Sequence, residues 1–165
     1  MLKYKCIFIF FLFIEYIFAK VVEEYFNSWD SLIDYNPENK DDEYVLYIEK
    51  KISASSKSND FLSKYKTVTI KGKDEKIRII CTSSSSENDP NLELTYLFKF
   101  SNQNDELNLT LENLTFSSCK IPQVVLEGPN VSVTLNNIDF TQNDDSALQA
   151  TSIKSVNIKN CKFRY

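Results

Sequence analysis

Three stretches of the chain share one alternation of apolar and polar positions: LTLENLTF at Leu109–Phe116, VTLNNIDF at Val133–Phe140 and VNIKNCKF at Val156–Phe163. In each copy, apolar and polar residues alternate up to an asparagine, after which the apolar positions shift by one residue. Successive side chains of a strand point to opposite faces, so a straight strand cannot keep both apolar halves on one side. The pattern therefore predicts a short strand, a corner at the asparagine and a second short strand.

The predicted corners are Asn113, Asn137 and Asn160, which lie 24 and 23 residues apart. The earlier segment Val68–Gly72 matches the first half of the pattern, with Gly72 in place of the asparagine. Asparagine and glycine enter the left-handed backbone region at low energetic cost. We therefore predict left-handed corners at all four positions, in successive turns, with the asparagine side chains stacked as a hydrogen-bonded ladder.

A further apolar patch precedes each copy, at residues 97–100, 123–126 and 147–150. Three short strands per turn of about 23 residues predict an all-β fold, a parallel β-helix or solenoid. A β-sandwich whose strands resemble one another by accident is the alternative. We place the coil at residues 43–165, with about four to five rungs and an open C-terminal end.

The segment before the coil has a helical pattern. Its apolar residues, at positions 22, 25, 26, 29, 32 and 33, recur at the spacing of one helix face, and Asn36-Pro37 follows them. We predict an amphipathic helix over Val22–Ile33 that caps the coil, so that residues 20–42 form this helix and a linker. A surface helix packed on an unrelated core is the alternative.

The N-terminus has the pattern of a secretory signal peptide. Lys3 and Lys5 precede an apolar run from Cys6 to Ala19, and polar sequence follows. The run is interrupted by Glu15 and is shorter than the roughly 20 apolar residues of a membrane-spanning helix. We predict a signal at residues 1–19, a secreted product and no stable membrane span after cleavage. An uncleaved membrane anchor is the alternative.

Composition and charge narrow the chemistry. The chain has 165 residues, 13% aromatic residues and a net charge of −4, with lysines interspersed among acidic residues. This is enough chain for one packed domain, and no basic stripe supports nucleic-acid binding. Histidine is absent, which removes the commonest general base and a leading zinc ligand. We predict no cofactor and no metal site.

Three cysteines remain after the predicted cleavage, and an odd number leaves at least one unpaired within the chain. Cys161 occupies the position of Leu114 and Ile138 in the repeat, so we predict a reduced thiol that faces the core. Cys81 and Cys119 each follow a corner by a few residues, which could bring them to neighbouring turns. A disulfide between these two cysteines is the pairing that we carry forward.

Three N-glycosylation sequons begin at Asn108, Asn113 and Asn130. Asn108 and Asn130 each precede a predicted inward residue, so their side chains should face solvent. Asn113 is a predicted corner whose side chain belongs to the ladder. We predict glycans on Asn108 and Asn130, and less modification of Asn113.

With these three asparagine-corner copies, the region from Tyr44 to Tyr165 resembles the right-handed parallel β-helix proteins of the pectin-lyase-like kind. The stretch from Asp145 to Phe163 is further similar to the repeats of polymorphic outer-membrane and related secreted β-helix proteins. The resemblance implies a right-handed coil and an N-terminal capping helix. It is specific for the fold and says little about activity. A truncated member of such a family is one interpretation.

The resemblance also allows a test for enzymatic residues. Pectinolytic hydrolases of the family use an Asn-Thr-Asp stretch, an Asp-Asp pair and Gly-His-Gly, and only Asp144-Asp145 matches one of these. Lyases of the family use carboxylates that bind calcium and a positioned arginine or lysine, and the chain has two arginines, Arg78 and Arg164. Asp144 and Asp145 are weak catalytic candidates, and a solvated acidic turn is the alternative. We therefore predict a protein that is not an enzyme.

Two classes of function follow. The first is a secreted, non-enzymatic β-helix that binds extracellular carbohydrate or protein. The second is a degenerate polysaccharide lyase or hydrolase, and a truncated fragment without an independent role is a third interpretation. The last rung of a β-helix presents unpaired backbone groups, so we predict end-to-end association there, moderated by the positive charges of Lys154, Lys159, Lys162 and Arg164.

Overall fold

The computed structural model describes residues 19–54, 62–81, 96–142 and 144–164. These residues form twelve strands and one short helix, with the following bounds: β1 Val21–Phe26, α1 Trp29–Ile33, β2 Glu43–Ile48, β3 Ile52–Ala54, β4 Thr67–Gly72, β5 Ile77–Cys81, β6 Phe98–Ser101, β7 Leu107–Ser117, β8 Val124–Glu127, β9 Val131–Thr141, β10 Leu148–Thr151, β11 Ser155–Lys159 and β12 Lys162–Arg164. The predicted signal segment lies, except for Ala19, outside the described residues. Among the described residues no helix has the length and apolar character needed to span a membrane.

The strands stack into a parallel β-helix of about five turns with a repeat of about 24 residues, which confirms the predicted fold. Its walls are three stacks of strands, which we call the first, second and third faces. The first face contains β1, β2, β4, the first halves of β7 and β9, and β11. The second face contains β3, β5, the second halves of β7 and β9, and β12. The third face contains β6, β8 and β10, which are the three apolar patches singled out in the sequence.

The asparagine corners separate the first face from the second. Asn113, Asn137 and Asn160 have φ angles of 54°, 56° and 54°, which is the left-handed region predicted for them. The Asn137 Nδ2 donates a hydrogen bond of 2.8 Å to the Asn113 Oδ1, so the ladder is formed between these two rungs. The residues on either side of each corner stay in register, as Leu111 with Leu135 and Leu114 with Ile138 show.

Gly72 differs from this prediction. It occupies the corner position of its rung, but its φ angle is not in the left-handed region. The reason is that residues 73–76 join β4 to β5 here, where a single asparagine suffices in the later rungs. A Cβ at Gly72 would lie 2.6 Å from the Asn113 carbonyl oxygen, so glycine is required for close approach of two backbones and not for its φ angle.

The predicted helix over Val22–Ile33 is wrong in its first half. Residues Val21–Phe26 form β1, which pairs residue by residue with β2, and only Trp29–Ile33 is helical. The coil therefore begins at Val21, more than 20 residues before the predicted boundary at residue 43. The spacing of the apolar residues suits a helix, but the backbone hydrogen bonds offered by the edge of β2 decide the structure.

The short helix still closes this end of the core. Ser28 caps it by accepting a hydrogen bond of 3.2 Å from the Ser31 N–H, and Trp29 packs with its ring centroid 5.2 Å from that of Phe98. Tyr35 packs against Phe26, and burial, reinforced by the charge of Glu24, raises the pKa of Tyr35 to about 12. The first rung is thus covered by aromatic side chains.

The core runs along the coil axis as columns of inward side chains. Phe116, Phe140 and Phe163 stack with centroids 5.3 Å and 5.0 Å apart. Phe116 and Phe140 are buried, whereas Phe163 in the last described rung is 44% exposed. The same rung exposes Val156 and Ile158, because no further strand of the described chain pairs with β11 on its other side. Whether this end associates with another chain stays a prediction.

Candidate functional site

The outward side chains of the second face form two columns that run along the coil axis. The strand register aligns Arg78, Thr115, Asp139 and Lys162 in one column, and Ile80, Ser117, Thr141 and Arg164 in the other. Arg78 points outward because its neighbours Ile77 and Ile79 are buried on the opposite side of β5. Arg164 belongs to the outward column because it pairs in register with Thr141 of β9.

A groove of about 410 Å³ lies on this face, lined by Arg78, Thr141, Gln142 and Arg164. Both arginines of the chain therefore border one concave surface. Three strand spacings separate β5 from β12, which places the two arginine backbones roughly 14 Å apart along the axis, because neighbouring strands lie about 4.8 Å apart.

Backbone geometry positions the two residues between the arginines. Thr141 is the last residue of β9, and its Oγ1 donates a hydrogen bond of 3.5 Å to the Phe116 carbonyl oxygen. Gln142 follows with a φ angle of 54°, and Ser118, one rung earlier, has a φ angle of 61°. A second left-handed corner thus ends the second face in both rungs and presents the Gln142 carboxamide at the edge of the groove.

The charge of this face is opposite to that of the chain. Lys76, Arg78, Lys162 and Arg164 supply four cationic groups, against the carboxylate of Asp139. The Lys76 Nζ lies 2.9 Å from the Asp139 Oδ1, and both side chains are about one-fifth to one-quarter exposed. This ion pair offsets the carboxylate of Asp139, so the two arginines and Lys162 give the face a positive electrostatic potential.

The weak catalytic candidates lie in the loop that follows the groove. Asp144 is exposed, and its N–H donates a hydrogen bond of 2.9 Å to the Cys119 carbonyl oxygen. Asp145 accepts a hydrogen bond from the Ser146 N–H through its Oδ1. Among the described residues no group of three or more acidic, cysteine or histidine residues could hold a metal ion. The geometry of the pair is that of an acidic turn between β9 and β10, and a catalytic role stays a prediction.

The cysteines are arranged as follows. Cys81 and Cys119 form a disulfide that spans 38 residues and joins two consecutive rungs at the end of the second face. Cys161 is a free thiol at intermediate exposure, and its Sγ lies 3.5 Å from the Leu135 carbonyl oxygen. It points towards the core, as its position in the repeat predicts, but the last rung leaves it partly accessible.

The sequon asparagines lie away from the groove. Asn108 is exposed on the first face, and Asn130 is half-buried directly before β9. The Nδ2 of Asn130 donates a hydrogen bond of 3.4 Å to the Gln103 carbonyl oxygen. Asn113 stands at the corner between the two faces, where its side chain is engaged by Asn137.

The repeat pattern and the motifs of the sequence do not predict the groove. At the level of the sequence, Arg78 and Arg164 are candidates for the cationic residue of a lyase, and Arg164 is also a charge on the last rung, but no pattern singles out Gln142. The available signal is the alternation after each corner, which places Arg78, Thr141 and Arg164 on the outward side of their strands. Their alignment additionally requires the register between β5 and β7, across a segment with no repeat in its sequence.

Comparison of the chain with protein-family models, with curated protein sequences and with solved structures finds no match. The candidate site is a groove on the second face of the parallel β-helix, lined by two guanidinium groups, a hydroxyl group and a carboxamide group.

Proposed function

We propose that the chain is a secreted, non-enzymatic β-helix of the pectin-lyase-like kind that binds acidic extracellular carbohydrate in the groove of its second face. The observation that carries the proposal is that both arginines of the chain, Arg78 and Arg164, line this one groove. A guanidinium forms paired hydrogen bonds with a carboxylate and stays charged at every physiological pH. An oligosaccharide of uronic acids that lies along the coil axis would meet one guanidinium near each end.

The groups between the arginines suit the neutral part of such a ligand. The Thr141 hydroxyl can donate and accept hydrogen bonds, and the Gln142 carboxamide offers both a donor and an acceptor. Sugar hydroxyls need both kinds of partner. The protonated arginines and neutral side chains that line the groove bind a ligand but do not transfer protons at neutral pH, which supports binding without catalysis.

The scaffold supports this function through its rigidity. Arg78 and Thr141 lie on strands that are hydrogen-bonded to neighbouring strands and have buried side chains beneath them, and Arg164 lies on β12, which pairs with β9. Residues held in this way lose little further freedom when a ligand binds. The apolar N-terminal segment supports export of the chain, which would place the groove among extracellular polysaccharides.

The test is the affinity of the mature protein for uronic acid oligosaccharides, measured by isothermal titration calorimetry. Arg78→Gln combined with Arg164→Gln should weaken binding at least about tenfold, because charged hydrogen bonds contribute about 1.5–3 kcal/mol each. Lys50→Gln combined with Lys51→Gln removes the same charge from exposed positions next to β3 and should change the affinity less than twofold. Neutral glucan oligosaccharides should bind far more weakly to all three proteins.

Two results would contradict the proposal. One is that no uronic acid oligosaccharide binds to the unmodified protein at millimolar concentration. The other is that both double variants lose affinity equally, because a general effect of net charge would then replace a site. A calcium-dependent cleavage of the oligosaccharide would instead favour the degenerate-enzyme interpretation.

A further inference from the structure

The first face presents a surface that differs in chemistry from the groove. Over the four rungs from β4 to β11, its first two outward columns contain only uncharged polar residues, namely Thr67, Thr69, Asn108, Thr110, Ser132, Thr134, Ser155 and Asn157. Two of the three sequons use this surface. Asn108 and its hydroxyl partner Thr110 both point outward on β7, and Ser132, the hydroxyl partner of Asn130, points outward on β9.

We propose that the first face is the glycosylated side of the molecule, with N-linked glycans on Asn108 and Asn130 and none on Asn113, so that the second face stays uncovered. The proposal concerns a modification and does not depend on what the groove binds. It rests on where the structure places the three asparagine side chains and the three hydroxyl residues of their sequons.

Asn108 fits a glycan without any change in structure. It is exposed in the middle of the first face, and its backbone N–H is already used in a hydrogen bond of 2.7 Å to the Lys66 carbonyl oxygen. The side chain stands between Thr67 and Ser132 of the neighbouring rungs, both of which are short. A glycan on its Nδ2 can therefore leave the surface directly into solvent.

Asn130 is the second acceptor. Its carbonyl oxygen receives the Leu107 N–H at 3.1 Å, which holds its backbone at the first-face edge of the next rung. The side-chain hydrogen bond to Gln103 is long, at 3.4 Å, so little is lost when the Nδ2 carries a sugar. Asn108 and Asn130 lie on neighbouring rungs, two positions apart along the strand, or about 8 Å from each other, given about 4.8 Å between strands and 3.3 Å per residue.

Asn113 is unsuitable for three reasons. Its Oδ1 accepts the 2.8 Å hydrogen bond from Asn137, so the carboxamide that would carry the sugar is held within the ladder at the corner. The preceding rung offers Gly72, whose backbone is so close to Asn113 that even a Cβ would not fit there. The hydroxyl residue of this sequon, Thr115, is 9% exposed on the second face, so recognition of the sequon requires the corner to be unfolded.

The chemistry of the modification is a group transfer from a lipid pyrophosphate-linked oligosaccharide. The asparagine Nδ2 forms a bond with C1 of the first sugar, while the bond between C1 and the pyrophosphate oxygen breaks. The lipid pyrophosphate leaves with the electron pair of that bond, and the amide loses one proton to a basic group of the transferase. No oxidation or reduction takes place.

The consequence is that glycans cover one face of the molecule and leave another face accessible. Two glycans about 8 Å apart cover the first face around β7 and β9, whereas the corner asparagines keep glycans away from the boundary with the second face. A polar sheet face that is covered by glycans is protected from lateral contact with other proteins. Contacts with a ligand are then restricted to the groove and to the third face.

The experiment expresses the full chain in a eukaryotic secretory host and identifies the occupied asparagines by mass spectrometry of glycopeptides, before and after enzymatic removal of the glycans. Asn108 and Asn130 should be occupied in most molecules and Asn113 in almost none. Three matched variants remove one sequon each without touching the asparagine. Thr110→Ala and Ser132→Ala should each lower the total glycan mass by one glycan, and Thr115→Ala should leave the total glycan mass unchanged.

Several outcomes would overturn the proposal. A glycan on Asn113 in the folded, secreted protein contradicts the ladder geometry, and a loss of one glycan in Thr115→Ala leads to the same conclusion. Unmodified Asn108 and Asn130, whether the chain is secreted or retained, refute the glycosylated first face.

Discussion

The first and second faces are built from the same two long strands and yet differ in almost every surface property. On β7 and β9, the first two outward positions before the asparagine corner hold threonine, serine or asparagine, whereas after the corner Thr141, at the end of β9, lines a groove together with the two arginines. Inward positions of both halves are uniformly apolar and buried. The comparison shows that a single left-handed residue lets one strand serve two surfaces, because only the inward columns are needed for stability.

The largest effects are expected from substitutions in the core beneath each face. They test whether both faces depend on the same core for stability while only the second face binds the ligand. Leu135, beneath the first face, is fully buried, and Phe140, beneath the second, is 1% exposed. Leu135→Ala should lower the free energy of unfolding by about 2–5 kcal/mol and Phe140→Ala by about 3–5 kcal/mol. Urea denaturation followed by circular dichroism measures both. Only Phe140→Ala lies beneath the groove, so it alone should also weaken oligosaccharide binding, and an equal loss of binding in Leu135→Ala would contradict the separation of the faces.

A smaller effect is expected at the corner between the faces. Asn137→Ala removes the hydrogen bond to Asn113 and places at a φ angle of 56° a residue that lacks the short polar side chain by which asparagine tolerates the left-handed region. The expected loss in the free energy of unfolding is about 2–3 kcal/mol, since the left-handed region costs roughly 1–2 kcal/mol and the hydrogen bond contributes about 1 kcal/mol.

Asn137→Gly is the matched control for the corner. Glycine adopts the left-handed region easily and loses only the side-chain hydrogen bond, so the expected loss is about 1 kcal/mol. Thermal unfolding and urea denaturation should rank the unmodified protein, the glycine variant and the alanine variant in that order. Equal stability of the two variants would show that the backbone conformation is not what the asparagine supplies.

The smallest effect concerns charge on the two faces. Asp139→Asn removes a carboxylate from the second face and frees Lys76 from its ion pair, so the affinity for a uronic acid oligosaccharide should rise about threefold. Glu112→Gln removes a carboxylate from the first face, where Glu112 accepts a hydrogen bond from Asn136, and should leave the affinity unchanged. Calorimetry at moderate ionic strength compares them. A rise in both variants would indicate that net charge, and not position, controls binding.

The parts of the fold that sequence patterns predicted are those set by local backbone rules. The alternation around Asn113, Asn137 and Asn160 defines inward and outward sides, and asparagine tolerates the left-handed corner. The error at Val21–Phe26 has the opposite cause. That segment has helical spacing, but its neighbour β2 offers a row of backbone partners that a local pattern does not reveal.

Gly72 and the groove were beyond local patterns for related reasons. At Gly72 the decisive fact is the close approach of Asn113 from the next rung, 41 residues later in the chain. At the groove, the decisive fact is that Arg78 on β5 aligns with residues of β7 and later strands, which follow the long segment between β5 and β6. Both depend on which rung lies against which, and that register becomes known only when the whole coil is assembled.

The most direct test of the account is to map where an acidic oligosaccharide contacts the protein. Backbone amide chemical shifts of the isotope-labelled mature protein, recorded by NMR during titration with a uronic acid oligosaccharide, provide this map. The account predicts the largest changes at Arg78, Thr141, Gln142 and Arg164, and none beyond error at Thr69, Thr110 and Thr134. Changes that cluster on the first face, or on β6, β8 and β10, would contradict a binding site between the two arginines.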